Sequence, residues 1–226
     1  MTWFGDFYRS ALGKKYIMAI SGIVLFGWIL AHMVGNLKFF LGPEPLNHYG
    51  EWLKAMGAPV LPREVGLWIS RITLLVLIWL HIQAATQLTL MNWKARPVDY
   101  KKKKFVEADY ASRTMRWGGV IIALYVVYHI LHLTTGDVHG SFVPGDIYHN
   151  VVAAFSQPLV ALVYVVATLA LGFHLYHGLW SLFQSMGWNS PKFNPWRRVF
   201  ATVFSIVVTV GFISVPLAVM LGAYQR

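Results

Sequence analysis

Apolar residues fall into five long runs, each closed off by polar or charged positions. A bilayer's hydrocarbon core takes roughly 20 residues of helix to cross. The runs at about 14–40, 64–91, 117–135, 158–184 and 199–222 all reach that length. The pattern predicts an all-α, integral membrane bundle of five transmembrane helices, a single domain over 1–226. No solenoid-type repeat, low-complexity tract or soluble domain interrupts it. The first run is not a cleavable signal, because it is too long, follows the aromatic segment MTWFGDFYRS and leads to no small-residue cleavage site. Pro216 lies inside the fifth run and is a candidate kink.

Between the first two runs, Leu46, Tyr49, Leu53 and Met56 recur at helical spacing, which predicts a short amphipathic helix on the membrane surface. The segment from Thr135 to Gln157 reads as a loop and holds no Lys or Arg. A weak internal echo joins the first and third runs: Gly22 and Gly119 each precede a histidine, His32 and His129, by ten residues.

Composition agrees with a membrane chain. Only 12% of the 226 residues are charged, about half the share in soluble domains. Mean hydropathy is +0.52. Ten Trp and eleven Tyr are what aromatic belts at two membrane interfaces require. The absence of cysteine excludes disulfides, covalently attached c-type haem, protein-ligated iron–sulfur clusters and thiolate zinc sites in this chain.

A formal charge of +10 raises the question of nucleic acid, and the placement of the cations answers it. Arg9, Lys14 and Lys15 precede the first run; Lys94, Arg96, Lys101 to Lys104, Arg113 and Arg116 lie between the second and third; Lys192, Arg197 and Arg198 lie between the fourth and fifth. The alternate loops hold far fewer. This is the positive-inside bias, which puts the N terminus in the cytoplasm and the C terminus outside. The lysine run then serves orientation and anionic lipid headgroups rather than nucleic acid, with the docking of a soluble partner as a second use.

Six of the nine histidines lie within the apolar runs: His32, His81, His129, His132, His174 and His177. Apart from Glu64 at one end, the runs contain no Asp or Glu, and Arg71 is the one cation away from their ends. Ionisable groups in hydrocarbon are expensive and mark function. A single imidazole is well explained as a helix-to-helix hydrogen bond; six over four helices are not. A proton relay would mix in carboxylates, and none is present.

Depth sorts the histidines. At about 1.5 Å per residue, His81 lies roughly 16 Å from the inner end of its helix and His174 roughly 20 Å, whereas His32 and His129 lie roughly 27 and 24 Å from theirs. Two levels result, each with one imidazole from each of two helices. That is the arrangement for two haems with histidine on both faces of the iron; zinc would want three or four ligands at one depth. Gly22, Gly27, Gly118, Gly119 and Gly172 would admit a flat macrocycle, or would serve helix packing. His132 and His177, each three residues from a proposed ligand, remain alternatives to it by depth alone.

The segments AHMVGNL around His32, LLVLIWLHIQ around His81, RWGGVIIALYVVYHILH around His129 and FHLYHGLWSLFQSMGWN around His174 resemble the five-helix, dihaem membrane anchor of bacterial succinate:quinone oxidoreductases and fumarate reductases, in the cytochrome b558 family where one chain holds both haems. The resemblance spans essentially the whole chain. It implies that His32 and His129 hold the distal haem b and His81 and His174 the proximal one. Trp117, twelve residues before His129, and the GLW that follows His177 match the family pattern and favour His129 and His174 over His132 and His177. The chain would then be an electron-transfer subunit of the bacterial cytoplasmic membrane, not itself the catalyst of succinate oxidation. A flavoprotein subunit and an iron–sulfur subunit would dock on its cytoplasmic face, and a quinone, commonly menaquinone, would exchange electrons near the distal haem.

Polar and aromatic candidates for that quinone are Asn36, His48, Tyr49 and Trp52. Arg71 is better suited to a haem propionate, and His132 and His177 to a propionate or to a contact behind the ligands. Two other readings predict different spectra. A dihaem b protein unconnected with succinate would carry haem without those partners, and a haem-free anchor or transporter would show none.

Overall fold

The computed structural model describes residues 3–95 and 110–224. Arg96 and Lys101 to Lys104 lie outside the described residues. Within these limits the chain is helical: α1 (Trp3–Arg9), α2 (Ala11–Leu37) continued by a 3₁₀ turn (Lys38–Leu41), α3 (Pro43–Lys54), α4 (Val65–Lys94), α5 (Tyr110–Leu133), α6 (Ile147–Phe155), α7 (Pro158–Ser185) and α8 (Asn194–Met220). Five helices are long and apolar enough to cross a membrane, over Ala11–Leu41, Val65–Lys94, Met115–Leu133, Pro158–Ser185 and Asn194–Met220. Helices span because hydrocarbon offers no partner for a backbone N–H or C=O, so each segment must satisfy its own.

Boundaries follow local chemistry. Ser10 caps α2 by accepting from the Gly13 N–H at 2.9 Å. Proline opens α3, α7 and α8, where its missing N–H costs nothing. That places the start of α8 five residues before the apolar run. Pro216 lies inside α8, which continues past it to Met220.

Neighbouring helices pack in the order α4, α2, α7, α5, and α8 lies against the α2–α7 side. Among the described residues no extensive packing seam joins α4 to α5 across the fourth side of this four-helix square, although the Arg116 guanidinium of α5 lies over the Trp93 ring of α4 at 5.7 Å. Seams are built on small residues, since lipid leaves no hydrophobic drive between helices. A Cβ on Gly172 of α7 would lie 2.3 Å from Thr209 Oγ1 of α8, and one on Gly211 of α8 would lie 2.2 Å from Met33 Sδ of α2. Gly172 therefore serves helix packing and not a macrocycle.

The largest buried cluster sits at one end of the bundle, where Phe39, Leu46, Tyr148, Phe155, Tyr164 and Val219 meet. We call this end outer, by the charge bias above. The amphipathic segment forms α3 as expected, but it does more than lie on the surface, because it docks on α6. Asn47 Nδ2 donates to Asp146 Oδ1, and Asn47 Oδ1 accepts from the Tyr148 N–H, both at 3.0 Å. The Phe39 and Tyr148 rings stack at 4.9 Å. Helix α6 interrupts a segment that reads as a loop. Asp146 starts it by accepting from the His149 N–H at 3.0 Å, and Asn150, which exchanges hydrogen bonds with the Val143 backbone, folds the preceding turn.

Two expectations follow. Gly172→Val forces α7 from α8 and should lower stability by about 1–3 kcal/mol, seen as a lower midpoint in thermal circular dichroism in detergent. The His149 N–H and the Asn47 amide hold the Asp146 carboxyl below the usual carboxylate range. The cap they make is therefore intact above that range and lost as pH falls through the lowered value. The protection of α6 amides against hydrogen exchange, relative to their intrinsic rate at each pH, should fall on strong acidification, and Asp146→Ala, at about 1 kcal/mol for a lost cap, should lower it already at neutral pH.

Candidate functional site

The four helices of the square carry all six intramembrane histidines. His32 of α2 and His129 of α5 meet with ring centroids 5.9 Å apart. His81 of α4 and His174 of α7 meet at 6.2 Å. Each pair crosses a diagonal of the square. An imidazole nitrogen binds a metal at about 2.0–2.1 Å, so two rings clasping one metal stand about 6 Å apart once their own half-widths are added. Both pairs have that spacing.

Their depths are fixed by cross-helix contacts. The His81 ring lies against residues 18–22 of α2: its Nδ1 is 3.1 Å from the Met18 carbonyl and 3.2 Å from Ser21 Oγ. A Cβ on Gly22 would lie 3.5 Å from its Cε1. A Cβ on Gly119 of α5 would likewise lie 4.0 Å from the His174 Cε1. His32 and His129 stand ten residues further along these two helices, roughly 15 Å by helical rise. The Gly-to-His echo thus has a physical cause: in each helix the glycine faces one histidine pair and the histidine ten residues on belongs to the other.

Tautomers and packing aim the rings. The Ser21 hydroxyl donates to the Ile17 carbonyl at 2.7 Å, so His81 Nδ1–H donates to the Met18 carbonyl. That leaves the lone pair on Nε2. His32 is stacked under Trp28 at 4.8 Å and touches Phe212 of α8. His129 is packed by Tyr125 and Tyr164. Nδ1 of His129 and Nδ1 of His174 are buried without a hydrogen-bond partner. Among the described residues the hydrogen-bonding capacity of these two nitrogens is therefore unmet.

The two remaining imidazoles behave differently. His132 is buried, its Nδ1 lies 3.0 Å from the Tyr164 hydroxyl, and it stacks on His139 at 4.9 Å. His177 Nε2 lies 3.0 Å from Ser181 Oγ on its own helix. Among the described residues, no three or more His, Asp or Glu converge in a group that could hold a metal ion.

A flat macrocycle fits this framework. The ring spacing, the orphaned Nδ1 atoms, the lack of an extensive seam between α4 and α5, and the open space beside Gly27 and Gly118 all suit it. Arg71 is half-buried in the second turn of α4, with its guanidinium over the Trp68 ring at 4.9 Å. Ten residues before His81, it lies at about the depth of the outer pair.

Of the quinone candidates, the structure brings Tyr49 and Trp52 together, stacked at 5.8 Å, with Tyr49 pressed on Gly35 so closely that a Cβ there would lie 2.7 Å from the ring. Lys38 Nζ sits over the same ring. Asn36 is half-buried at the end of α2, whereas His48 points outward on α3. Ser21, Met18, Trp28 and Tyr164 escape sequence reading, because only the tertiary contact gives them a partner.

Residues 107–213, the third to fifth spans, match the family model described as the succinate dehydrogenase/fumarate reductase transmembrane subunit. No curated protein and no solved structure matches the chain. Just under half of the chain is thus similar to this family, and five helices long and apolar enough to cross a membrane make the chain a multi-pass membrane protein.

Tyr164→Phe removes the hydroxyl that satisfies buried His132 and should cost about 1–2 kcal/mol. In thermal unfolding the loss should shrink when His132→Leu is added, since the double variant leaves no orphaned nitrogen.

Proposed function

We propose that this transmembrane subunit binds two b haems, one on each histidine pair, and conducts electrons between soluble partner subunits and a membrane quinone. The observation that carries the proposal is the spacing of the two diagonal pairs, 5.9 and 6.2 Å, at two depths of one bundle. His81 and His174 would hold the inner haem, His32 and His129 the outer. A bound b haem supplies one-electron redox chemistry without a proton-transfer group of its own.

The chain's own residues do the rest. The Met18 carbonyl fixes the His81 tautomer, and Trp28, Phe212, Tyr125 and Tyr164 fix the outer rings. The aromatic and aliphatic sleeve keeps water from both sites. The similarity of residues 107–213 to the succinate dehydrogenase/fumarate reductase transmembrane subunit supports soluble flavoprotein and iron–sulfur partners. The basic loops assign their docking to the cytoplasmic face, with the N terminus on that side of a bacterial cytoplasmic membrane. A quinone, menaquinone by resemblance, fits best near Asn36, Tyr49 and Trp52, where α2, α3 and the start of α4 converge at the outer end. His48 would line its approach.

The test is a dithionite-reduced minus oxidised spectrum of the purified subunit, with haem quantified as the pyridine haemochrome. Two b haems per chain are expected, reducible by succinate when the partner subunits are co-purified. His81→Ala and His174→Ala should each lose the inner haem, and His32→Ala and His129→Ala the outer. A His129→Ala protein that keeps both haems, beside a His132→Ala protein that loses one, would overturn the ligand assignment in α5.

A further inference from the structure

Two cations in the first turns of α2 and α8, near the inner end of the bundle, are buried. Arg197 is 1% exposed and Lys14 is 8% exposed. Neither forms an ion pair: among the described residues the ion pairs are those of Glu51 with Lys54 and Arg63, in the α3 region of the opposite end. A buried charge without a counter-charge is unfavourable, so each needs a physical account.

Arg197 finds one within the chain. Its guanidinium donates to the Trp188 carbonyl and to the side-chain oxygens of Asn189 and Asn194, and it lies over the Trp180 ring at 4.4 Å. Trp180 is six residues beyond His174, about 120° around α7 from it. The guanidinium therefore belongs to the α7–α8 seam and pins the loop between those helices, away from the histidine pair.

Lys14 has no such set of acceptors. Its ammonium donates to the Tyr8 carbonyl at 3.1 Å and lies 4.9 Å from the Tyr8 ring centroid. One acceptor leaves two of its three N–H donors unused. Its place on α2 is specific. Ser21, which touches His81 Nδ1, is seven residues on, two turns along the helix and within about 20° of the same face. Met18, whose carbonyl receives His81, lies between them. Lys14 is thus on the strip of α2 that descends from the inner histidine pair, roughly 10 Å toward the N-terminal end. Across the bundle the same depth is polar as well, through His177 and Ser181, one and two turns below His174 on α7.

We infer that Lys14 is the receptor for a carboxylate on the group clasped by His81 and His174, a propionate of the inner haem. The inference rests on the dihaem reading and adds to it a residue whose position in the sequence suggests only a loop charge. Carboxylate and ammonium neutralise one another where water is scarce, and a positive charge at the edge of the macrocycle favours the reduced iron. The pairing therefore sets the potential of the inner site and not of the outer one.

The test is an anaerobic potentiometric titration of the two haems in Lys14→Gln, in Lys14→Arg and in the unaltered subunit. Lys14→Gln should retain both haems with the inner midpoint shifted to more negative potential and the outer midpoint unchanged, and Lys14→Arg should restore it. The shift should persist when Lys14→Gln is combined with His129→Ala, which leaves only the inner haem, and vanish when it is combined with His174→Ala, which leaves only the outer. A two-haem Lys14→Gln protein with unaltered midpoints overturns the inference alone, as does an equal shift in both single-haem backgrounds. An unaltered subunit that binds no haem overturns the dihaem reading and this inference with it.

Discussion

Six imidazoles stand in hydrocarbon without a carboxylate among them, and the organisation of the bundle depends on how that is resolved. A neutral imidazole in lipid has one donor and one acceptor, each costly to leave unmade. His132 is satisfied by a tyrosine hydroxyl, and His177 makes its contact with Ser181 one turn on. The other four face one another across the square in two pairs, and two of them keep a buried nitrogen with no partner among the described residues. Helices that bury such groups need a reason beyond packing, because Leu or Ala would fill the same space without the cost.

The packing of the helices follows from that requirement. Helix α8 carries no histidine and acts as a wall, closing the α2–α7 side through Gly172, Gly211 and the small residues around them. The opposite side, between α4 and α5, has no extensive seam among the described residues. In a membrane this asymmetry is inexpensive, since side chains that leave a neighbouring helix find lipid that is equally apolar. A soluble bundle with one open side would expose a hydrophobic face to water.

The two ends of the molecule differ in kind. At the outer end α3 and α6 form a lid held by Asn47 and Asp146, and aromatic rings fill the space beneath it. At the inner end the charge is positive, with Lys14 buried against Tyr8 of α1, Arg197 buried in the α7–α8 seam and tryptophans exposed around the rim.

Much of this was legible in the residues. Run length decided the five spans, because the thickness of hydrocarbon is a one-dimensional constraint that a sequence meets or fails. Helical rise decided the depth of each histidine for the same reason, and the motifs around them carry the family resemblance. Rotation about each helix axis was not legible. Which imidazoles face across a diagonal, why Gly22 and Gly119 accompany a histidine while Gly172 meets Thr209, and why Lys14 turns inward on the strip of α2 below His81 all depend on neighbours far away in the chain. Helix α6 was hidden because its cap requires Asn47, some hundred residues earlier, to hold Asp146. Depth is local and additive, whereas facing depends on the whole set of contacts, and only the tertiary structure supplies it.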